Sequence, residues 1–201
     1  MSFTVASLAT KAAQFRDWQA GRSAKAVEII DGIATARHLR LDEDGLKQRG
    51  WTNLPIDWLP EPGTIYSGGY AEERAIYTSP VFQTEGEEPR TIHLGLDVFA
   101  PAGTPVRATL DGRAHSFQVN DNPLDYGPTL ILEHALTPDL TIYTLYGHLS
   151  AASLNGRAIG QTVDAGDEIA QLGSNDVNGG WAPHLHFQVM LDLLGKAGDF
   201  P

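Results

Sequence analysis

The sequence contains no cysteine. Disulfide bonds and thiolate metal ligands are therefore excluded. Any metal ion bound by this chain must be held by histidine nitrogen, by carboxylate oxygen or by water.

Long apolar runs are also absent, and cationic residues are scarce. No hydrophobic run approaches the roughly 18 residues that a membrane-spanning helix needs. Lysine and arginine number 14 against 25 aspartates and glutamates, which gives a formal net charge of -11. An acidic surface repels phosphate backbones, so nucleic acid is not an expected partner. Residues 1–6 lack the basic start and apolar run of a secretory signal. We therefore expect a cytoplasmic protein as the chain stands, or a secreted or periplasmic one if a leader has been removed.

The first 60 residues have the apolar spacing of helices. Leu8, Ala12 and Phe15 recur at intervals of three to four residues, which predicts an amphipathic helix. The pattern resumes over residues 27–34, and Ser23 is placed to cap this second helix. We expect residues 1–60 to form a helical appendage that packs on the main domain and has no catalytic role.

Prolines near residue 60 separate this region from a β-rich remainder. Short apolar segments then recur between Gly, Pro, Asn and Asp residues, at the spacing of an antiparallel all-β domain. The candidate strands are residues 91–98, 105–108, 112–119, 129–133, 141–148, 168–172 and 184–191. The sequence therefore predicts a mainly β domain over residues 61–201, with a compact antiparallel sheet core.

The segment His93-Leu-Gly-Leu-Asp97 falls on the first candidate strand. Side chains alternate between the two faces of a strand, so His93 and Asp97 are expected on the same side. Leu94 and Leu96 are expected to point into the core, and Gly95 leaves room for an ion between the two polar residues. An imidazole and a carboxylate are suitable ligands for a divalent transition metal.

Two histidines, His184 and His186, stand on the last candidate strand. Alternation places both on one face, with Leu185 and Phe187 on the other. One imidazole of this pair can bind metal while the other handles protons. Together with the first segment they provide His, Asp and His, the three protein ligands that are typical of a catalytic zinc site. His148 ends another apolar strand, from which its ring can turn into a cleft.

These segments resemble the lysostaphin/LytM family of zinc metallopeptidases, also called the M23 family. That family shows a His-x-x-x-Asp segment, then Tyr-x-His-Leu, then His-x-His, which correspond here to residues 93–97, 146–149 and 184–186. The turn Ala102-Gly-Thr-Pro-Val106 and the stretches 163–170 and 183–187 also match in order and spacing. The similarity extends over roughly residues 65 to 191 without a large gap.

The resemblance implies that His93, Asp97 and His186 are zinc ligands and that His148 and His184 are catalytic histidines beside them. One of these two would act as general base toward water, and the other would assist the oxyanion or the leaving amine, in an assignment that the sequence leaves open. The implied fold is a compact antiparallel sheet that lines a groove. The implied activity is hydrolysis of peptide bonds by metal-activated water, in a peptide partner of the peptidoglycan type. Nickel, cobalt or copper also accept such ligands, so the metal actually loaded stays open.

Three features leave the wider function open. Trp181 is a bulky addition to a loop that is commonly short and Gly-rich in the family, and it either lines the groove or plugs the end of the sheet. Arg74 either grips a substrate carboxylate or pairs with a neighbouring glutamate in a solvated loop. The chain ends at Phe200-Pro201, which favours a fragment of a longer polypeptide whose further domains would be its partners.

Two other functions are therefore kept beside the peptidase. One is a module of a larger intracellular multidomain enzyme that acts on a small peptide or amide. The other is a non-catalytic scaffold, which the presence of all five expected site residues argues against. We expect His38, His115 and His134 to have structural or solvent roles.

Overall fold

The computed structural model describes residues 5–22, 27–74 and 91–199. Within these ranges the helices are α1 (Val5–Ala20) and α2 (Glu43–Gln48), with 3-10 turns at Ile33–Thr35 and Ala151–Leu154. The strands are β1 (Arg37–His38), β2 (Tyr66–Ser67), β3 (Glu72–Glu73), β4 (Ile92–His93), β5 (Leu96–Phe99), β6 (Pro105–Arg107), β7 (Gly112–Asn120), β8 (Gly127–Thr137), β9 (Leu140–Gly147), β10 (Thr162–Val163), β11 (Glu168–Gln171) and β12 (His184–Met190).

One large sheet dominates the described residues. Its eight strands follow the order β1-β2-β5-β12-β9-β8-β7-β10. Neighbours pair antiparallel, except β1 and β2, which run parallel at one edge. Small antiparallel pairs form between β6 and β11 and between β3 and β4. The prediction of a mainly β fold with an N-terminal helix is confirmed, and the parallel edge makes the large sheet mixed.

The two faces of this sheet have different contents. On β12, Leu185 belongs to the main core and Phe187 packs against it. Because side chains alternate, His184 and His186 face the opposite side. The buried main core consists of Ile29, Ile30, Val98, Ala100, Val106, Ala108, Ala114, Leu130, Leu132, Tyr146, Leu149, Val163, Ile169, Ala170, Leu172 and Leu185. The sheet thus holds the histidines on a rigid support with the apolar core behind them.

The second helix predicted for residues 27–34 is wrong in the part of it that the structure describes. Ile30 is fully buried in the main core, and Gly32 has a φ of 89°, which is left-handed backbone that an α-helix does not contain. Only one 3-10 turn follows before β1 joins the large sheet. Packing against the β domain has overridden the local spacing. Ser23, the predicted cap, lies outside the described residues.

Residues 37–58 pack closely against the β domain. Four leucines of this segment form a second buried cluster with side chains of the β domain; its members are Leu39, Leu41, Leu46, Leu54, Tyr66, Phe99 and Ala182. Helix α1 is attached separately, through a salt bridge of 2.7 Å between Lys11 and Asp192. The boundary between residues 1–60 and 61–201 stays a prediction. None of the helices that the structure describes has the length and apolarity to cross a membrane.

Candidate metal centre

Three metal-ligating side chains meet where β4, β5 and β12 come together. His186 on β12 lies directly opposite Asp97 on β5 in the antiparallel register. His93 ends β4, shortly before β5 begins. All three residues are buried, at 3–4% exposure. The structure therefore brings together the residues that the sequence analysis named as ligands.

The donor atoms of these residues surround one point. His93 Nε2 lies 2.9 Å from His186 Nδ1 and 3.2 Å from Asp97 Oδ1. His186 Nδ1 lies 3.3 Å from the same carboxylate oxygen. In a tetrahedral zinc site with metal–ligand distances of about 2.0–2.1 Å, neighbouring ligand atoms are roughly 3.3 Å apart. The donor set and its spacing therefore fit zinc, with a fourth position left for water or substrate.

Two neighbours orient the imidazole of His186. Its Nε2 lies 3.3 Å from the Gln188 side-chain oxygen, which accepts a hydrogen bond, so Nδ1 presents its lone pair to the metal position. On the other side, a Cβ added at Gly95 would lie 2.4 Å from His186 Cε1. The sequence analysis missed Gln188, although it stands two residues after His186 and therefore shares its face of β12.

The expectation for the leucines around Gly95 needs correction. Leu94 does not point into the core, since it is 50% exposed, whereas Leu96 packs against the main core as expected. The chain leaves regular strand pairing between β4 and β5, so alternation does not run through the whole segment. The space that Gly95 leaves open is occupied by the His186 ring rather than kept for the ion.

The charge of Asp97 suits a metal ligand. Burial by itself raises the pKa of this carboxyl. Positive charge on His93 and His184 when these rings are protonated, the Arg74 guanidinium, and a hydrogen bond with His186 in the metal-free protein outweigh burial and hold the pKa well below its ordinary value. Asp97 is therefore ionised at neutral pH, as a ligand must be.

Two further histidines stand beside this centre. His148 Nδ1 donates to the Asn178 carbonyl at 2.8 Å, and His184 Nδ1 donates to the Ala182 carbonyl at 2.7 Å. Each ring therefore keeps its Nε2 lone pair free of a proton. The two rings lie 4.2 Å apart between centroids, and His184 Nε2 is 3.7 Å from Asp97 Oδ1.

The backbone and the burial of these two histidines are unusual. His148 has a φ of 60°, a conformation that costs energy for a residue with a side chain and that clusters at functional sites. Burial, followed by the charges of His184 and His186, lowers the pKa of His148 well below its ordinary value. Burial likewise lowers the pKa of His184. Both imidazoles are therefore neutral at pH 7.

Aromatic side chains close the site on two sides. The Tyr126 ring lies 4.9 Å from the ring of His186. Trp181 lies 6.3 Å from His148 and 6.5 Å from His184. Trp181 also packs against the second buried cluster. Trp181 therefore borders both histidines, and whether it lines a groove or plugs the end of the sheet stays a prediction.

Arg74 is buried at the base of the site, at 3% exposure. Its guanidinium lies 2.8 Å from Glu72 and 3.0 Å from Asp97. Of the two alternatives from the sequence, pairing with a neighbouring glutamate is found, although in a buried position and not in a solvated loop. The contact with Asp97 was missed, because no local pattern joins positions 23 residues apart.

The remaining histidines lie apart from the centre. His134 is buried and bonds to the Asp111 carbonyl and to the Thr144 hydroxyl. His115 packs edge-on against Tyr143, and His38 is exposed.

Comparison with known proteins matches this chain to peptidases. The sequence profile of peptidase family M23 matches residues 91–197. The DD-carboxypeptidase/endopeptidase Mpg of Neisseria meningitidis serogroup B (strain MC58) is 38% identical over 101 residues, which are 50% of this chain and 20% of that protein. The matched part of the chain thus spans about a fifth of the length of that relative.

Two solved structures are also similar. The catalytic domain of lysostaphin from Staphylococcus simulans is 31% identical and has a TM-score of 0.40, over 50% of this chain and 68% of that one. A zinc-containing peptidase from Vibrio cholerae is 29% identical and has a TM-score of 0.42, over 61% of this chain and 35% of that one.

The family profile spans more than half of the sequence. The matched segment contains the three metal-ligating residues and both histidines beside them. This chain therefore belongs to peptidase family M23.

Proposed function

We propose that this chain is a zinc-dependent endopeptidase that hydrolyses peptide bonds in peptidoglycan-type peptides. The observation that carries the proposal is the convergence of His93, Asp97 and His186 on one point, with two neutral histidines beside it. Three protein ligands and an open fourth position are the pattern of catalytic zinc, whereas structural zinc is usually closed by four.

In this proposal, His93 and His186 would hold zinc through nitrogen and Asp97 through carboxylate oxygen. Bound zinc supplies Lewis acidity, which polarises a peptide carbonyl and acidifies water. The protein supplies the orientation of the ligands, through Gln188 for His186 and through the β5–β12 register for Asp97.

His148 and His184 handle the protons. Because a backbone carbonyl fixes the Nδ1 proton of each ring, Nε2 is the atom that exchanges a proton with substrate or water. A neutral imidazole accepts a proton from the attacking water, and the resulting imidazolium is a donor for the leaving amine. The second histidine, whose ring centroid lies 4.2 Å away, hydrogen-bonds the oxyanion only when it, and not the first, carries the proton taken from water. Their mutual repulsion when charged favours one proton on the pair at a time.

The substrate assignment is supported by one comparison. The relative from Neisseria carries DD-carboxypeptidase/endopeptidase in its name, and we transfer that kind of activity to this chain as a proposal.

In the experiment, the zinc-loaded protein is incubated with cross-linked stem peptides from peptidoglycan. The products are followed by liquid chromatography and mass spectrometry. We expect cleavage by the wild type, loss of cleavage in Asp97→Ala, and normal cleavage in His38→Ala, which changes an exposed histidine outside the site. A chelator should abolish cleavage and added zinc should restore it.

Other results would decide against the proposal. Cleavage retained in Asp97→Ala would refute the metal mechanism. Cleavage of small peptides or amides, with stem peptides left intact, would favour the module of a larger intracellular enzyme. Zinc binding without hydrolysis of any substrate would favour the scaffold.

A further inference from the structure

The two oxygens of Asp97 have different surroundings. Oδ1 faces the metal position, at 3.2 Å from His93 Nε2 and 3.3 Å from His186 Nδ1. Oδ2 accepts a hydrogen bond from Arg74 Nη1 at 3.0 Å. A carboxylate held in this way offers one oxygen to a metal and keeps the other engaged with the protein.

Arg74 is itself held from several sides. Its Nε lies 2.8 Å from Glu72 Oε2, and its backbone N–H donates to the Thr91 carbonyl at 2.7 Å. A Cβ added at Gly68 would come within 2.8 Å of Arg74 Nη2, so the absence of a side chain there leaves room for the guanidinium. The arginine therefore has little freedom to leave Asp97.

Glu72 connects this contact to the N-terminal part of the chain. Its second oxygen, Oε1, accepts a hydrogen bond from the Leu41 backbone N–H at 3.1 Å. Leu41 is fully buried in the second cluster, which also includes Phe99 of β5. A hydrogen bond from the Leu41 backbone to Glu72, an ion pair between Glu72 and Arg74, and a hydrogen bond from Arg74 to Asp97 thus connect the second cluster to the metal site.

We propose that Arg74, held by Glu72, is a positioning residue that fixes the Asp97 carboxylate so that Oδ1 alone is presented to the metal. This inference rests on the metal site of the proposed function. Arg74 and Glu72 have opposite charges, so the pair leaves the net charge around the metal unchanged. What the pair contributes is the orientation of Asp97.

The contact of Arg74 with His93 is not a hydrogen bond when His93 binds metal. Nη2 lies 3.3 Å from His93 Nδ1, but that nitrogen carries a proton when Nε2 binds metal, and two donors do not bond to each other. The Asp97 contact is shorter and joins a donor to an acceptor, so it persists with metal bound.

The test removes the Glu72–Arg74 ion pair without changing the net charge of the protein. In the double variant Glu72→Gln/Arg74→Met both charges disappear together, and the glutamine oxygen still accepts from the Leu41 N–H. Replacing a buried ion pair by uncharged side chains of similar volume is often neutral for stability. The matched control is Glu133→Gln/Arg113→Met, which makes the same exchanges at an ion pair between β8 and β7 with an exposed arginine.

Cobalt(II) is the probe, because its visible absorption reports ligand geometry in addition to affinity. We expect the double variant to bind cobalt about 10- to 100-fold more weakly in competition with a chelator, the range found when a hydrogen-bond partner of a metal ligand is lost. We also expect its absorption bands to shift, because Asp97 is free to rotate. The control should match the wild type in both measurements.

The outcomes separate this inference from the proposed function. Wild-type affinity and an unchanged spectrum in the double variant would overturn the role of Arg74 while leaving the metal site intact. A wild type that binds no cobalt would overturn the metal site and this inference with it. Arg74→Lys provides a second reading if the double variant does not fold. One ammonium lacks the planar fork that reaches both carboxylates, so a wild-type spectrum and affinity in that variant would also overturn the proposal.

Discussion

Replacing Gly95 with alanine would place a methyl group against the His186 ring. The added Cβ would lie 2.4 Å from Cε1 and 2.6 Å from Nε2 of that ring. Ordinary contacts begin at 3.4 Å, so the ring and the new methyl must separate by about 1 Å. The ring cannot absorb this change at no cost, because the Gln188 contact and the β12 backbone hold it on the other side.

A separation of this size is large for a metal site. Ligand distances in working sites stay within about 0.2 Å of their usual values. Displacing His186 by several times that tolerance removes one of three ligands. We therefore expect Gly95→Ala to weaken zinc binding by at least about 100-fold, the upper end of what losing a partner of a ligand costs. The overpacking itself should lower the free energy of unfolding by only about 1–3 kcal/mol.

The assay is zinc affinity by competition with a chromophoric chelator, beside thermal unfolding of the metal-free protein. Gly21→Ala is the matched control, because a Cβ there meets its nearest atoms at 3.5 and 3.7 Å. If the Gly95→Ala protein folds and binds zinc as tightly as the wild type, the assignment is refuted. His186 would then not be a ligand held in a space that only glycine leaves open.

Three further predictions concern other parts of the molecule. Asparagine tolerates the left-handed backbone, so the His148→Asn variant should keep its zinc while its hydrolysis rate falls by about 10²–10⁴-fold. Metal content and kcat measure the two effects, and an unchanged kcat would exclude a role of His148 in proton transfer. Burial lowers the pKa of His134, so the unfolded chain takes up a proton below pH about 6.5 while the folded one does not, and stability is lost as the pH falls. Urea unfolding of the metal-free protein at pH 7.5 and 5.5 should then show that the free energy of unfolding falls less in His134→Gln than in the wild type. An equal fall in both proteins would contradict this. Removal of residues 1–60 deletes the four buried leucines of the second cluster. Burial of each contributes about 1.5–3 kcal/mol, and the total is comparable to the stability of a whole domain, so the truncated chain should have a lower melting temperature. An unchanged melting temperature would instead support an independent appendage.

The metal-ligating residues could be predicted because each lies on or beside a strand with a recognisable local spacing. Two histidines two residues apart on β12 share a face wherever that strand packs. Their apolar neighbours Leu185 and Phe187 determine which face is buried in the core. The same reasoning would have found Gln188, which has the same parity as His186.

Alternation failed where the backbone leaves the sheet. Leu94 was expected in the core, but the break between β4 and β5 turns it outward. Residues 27–34 have helical spacing, yet Ile29 and Ile30 are buried against the β domain and Gly32 is left-handed. In both cases tertiary packing decided the conformation, which a local pattern does not contain.

The support of the site was the least predictable part. Arg74, directly after β3, meets Asp97 on β5, and Asn178, in the loop before β12, meets His148. Neither pair has a spacing in the sequence that distinguishes it from a surface contact. The left-handed backbone at His148 is similarly set by its surroundings and has no signal in the residue type alone.

The most direct test of the central claim is the zinc content of purified protein, measured by plasma mass spectrometry after incubation with zinc and removal of the excess. We expect about one zinc per chain in the wild type and in His38→Ala, and none in His186→Ala, since two remaining ligands do not make a stable site. Wild-type protein that retains no zinc, or His186→Ala that retains as much as the wild type, would contradict the metal centre described here.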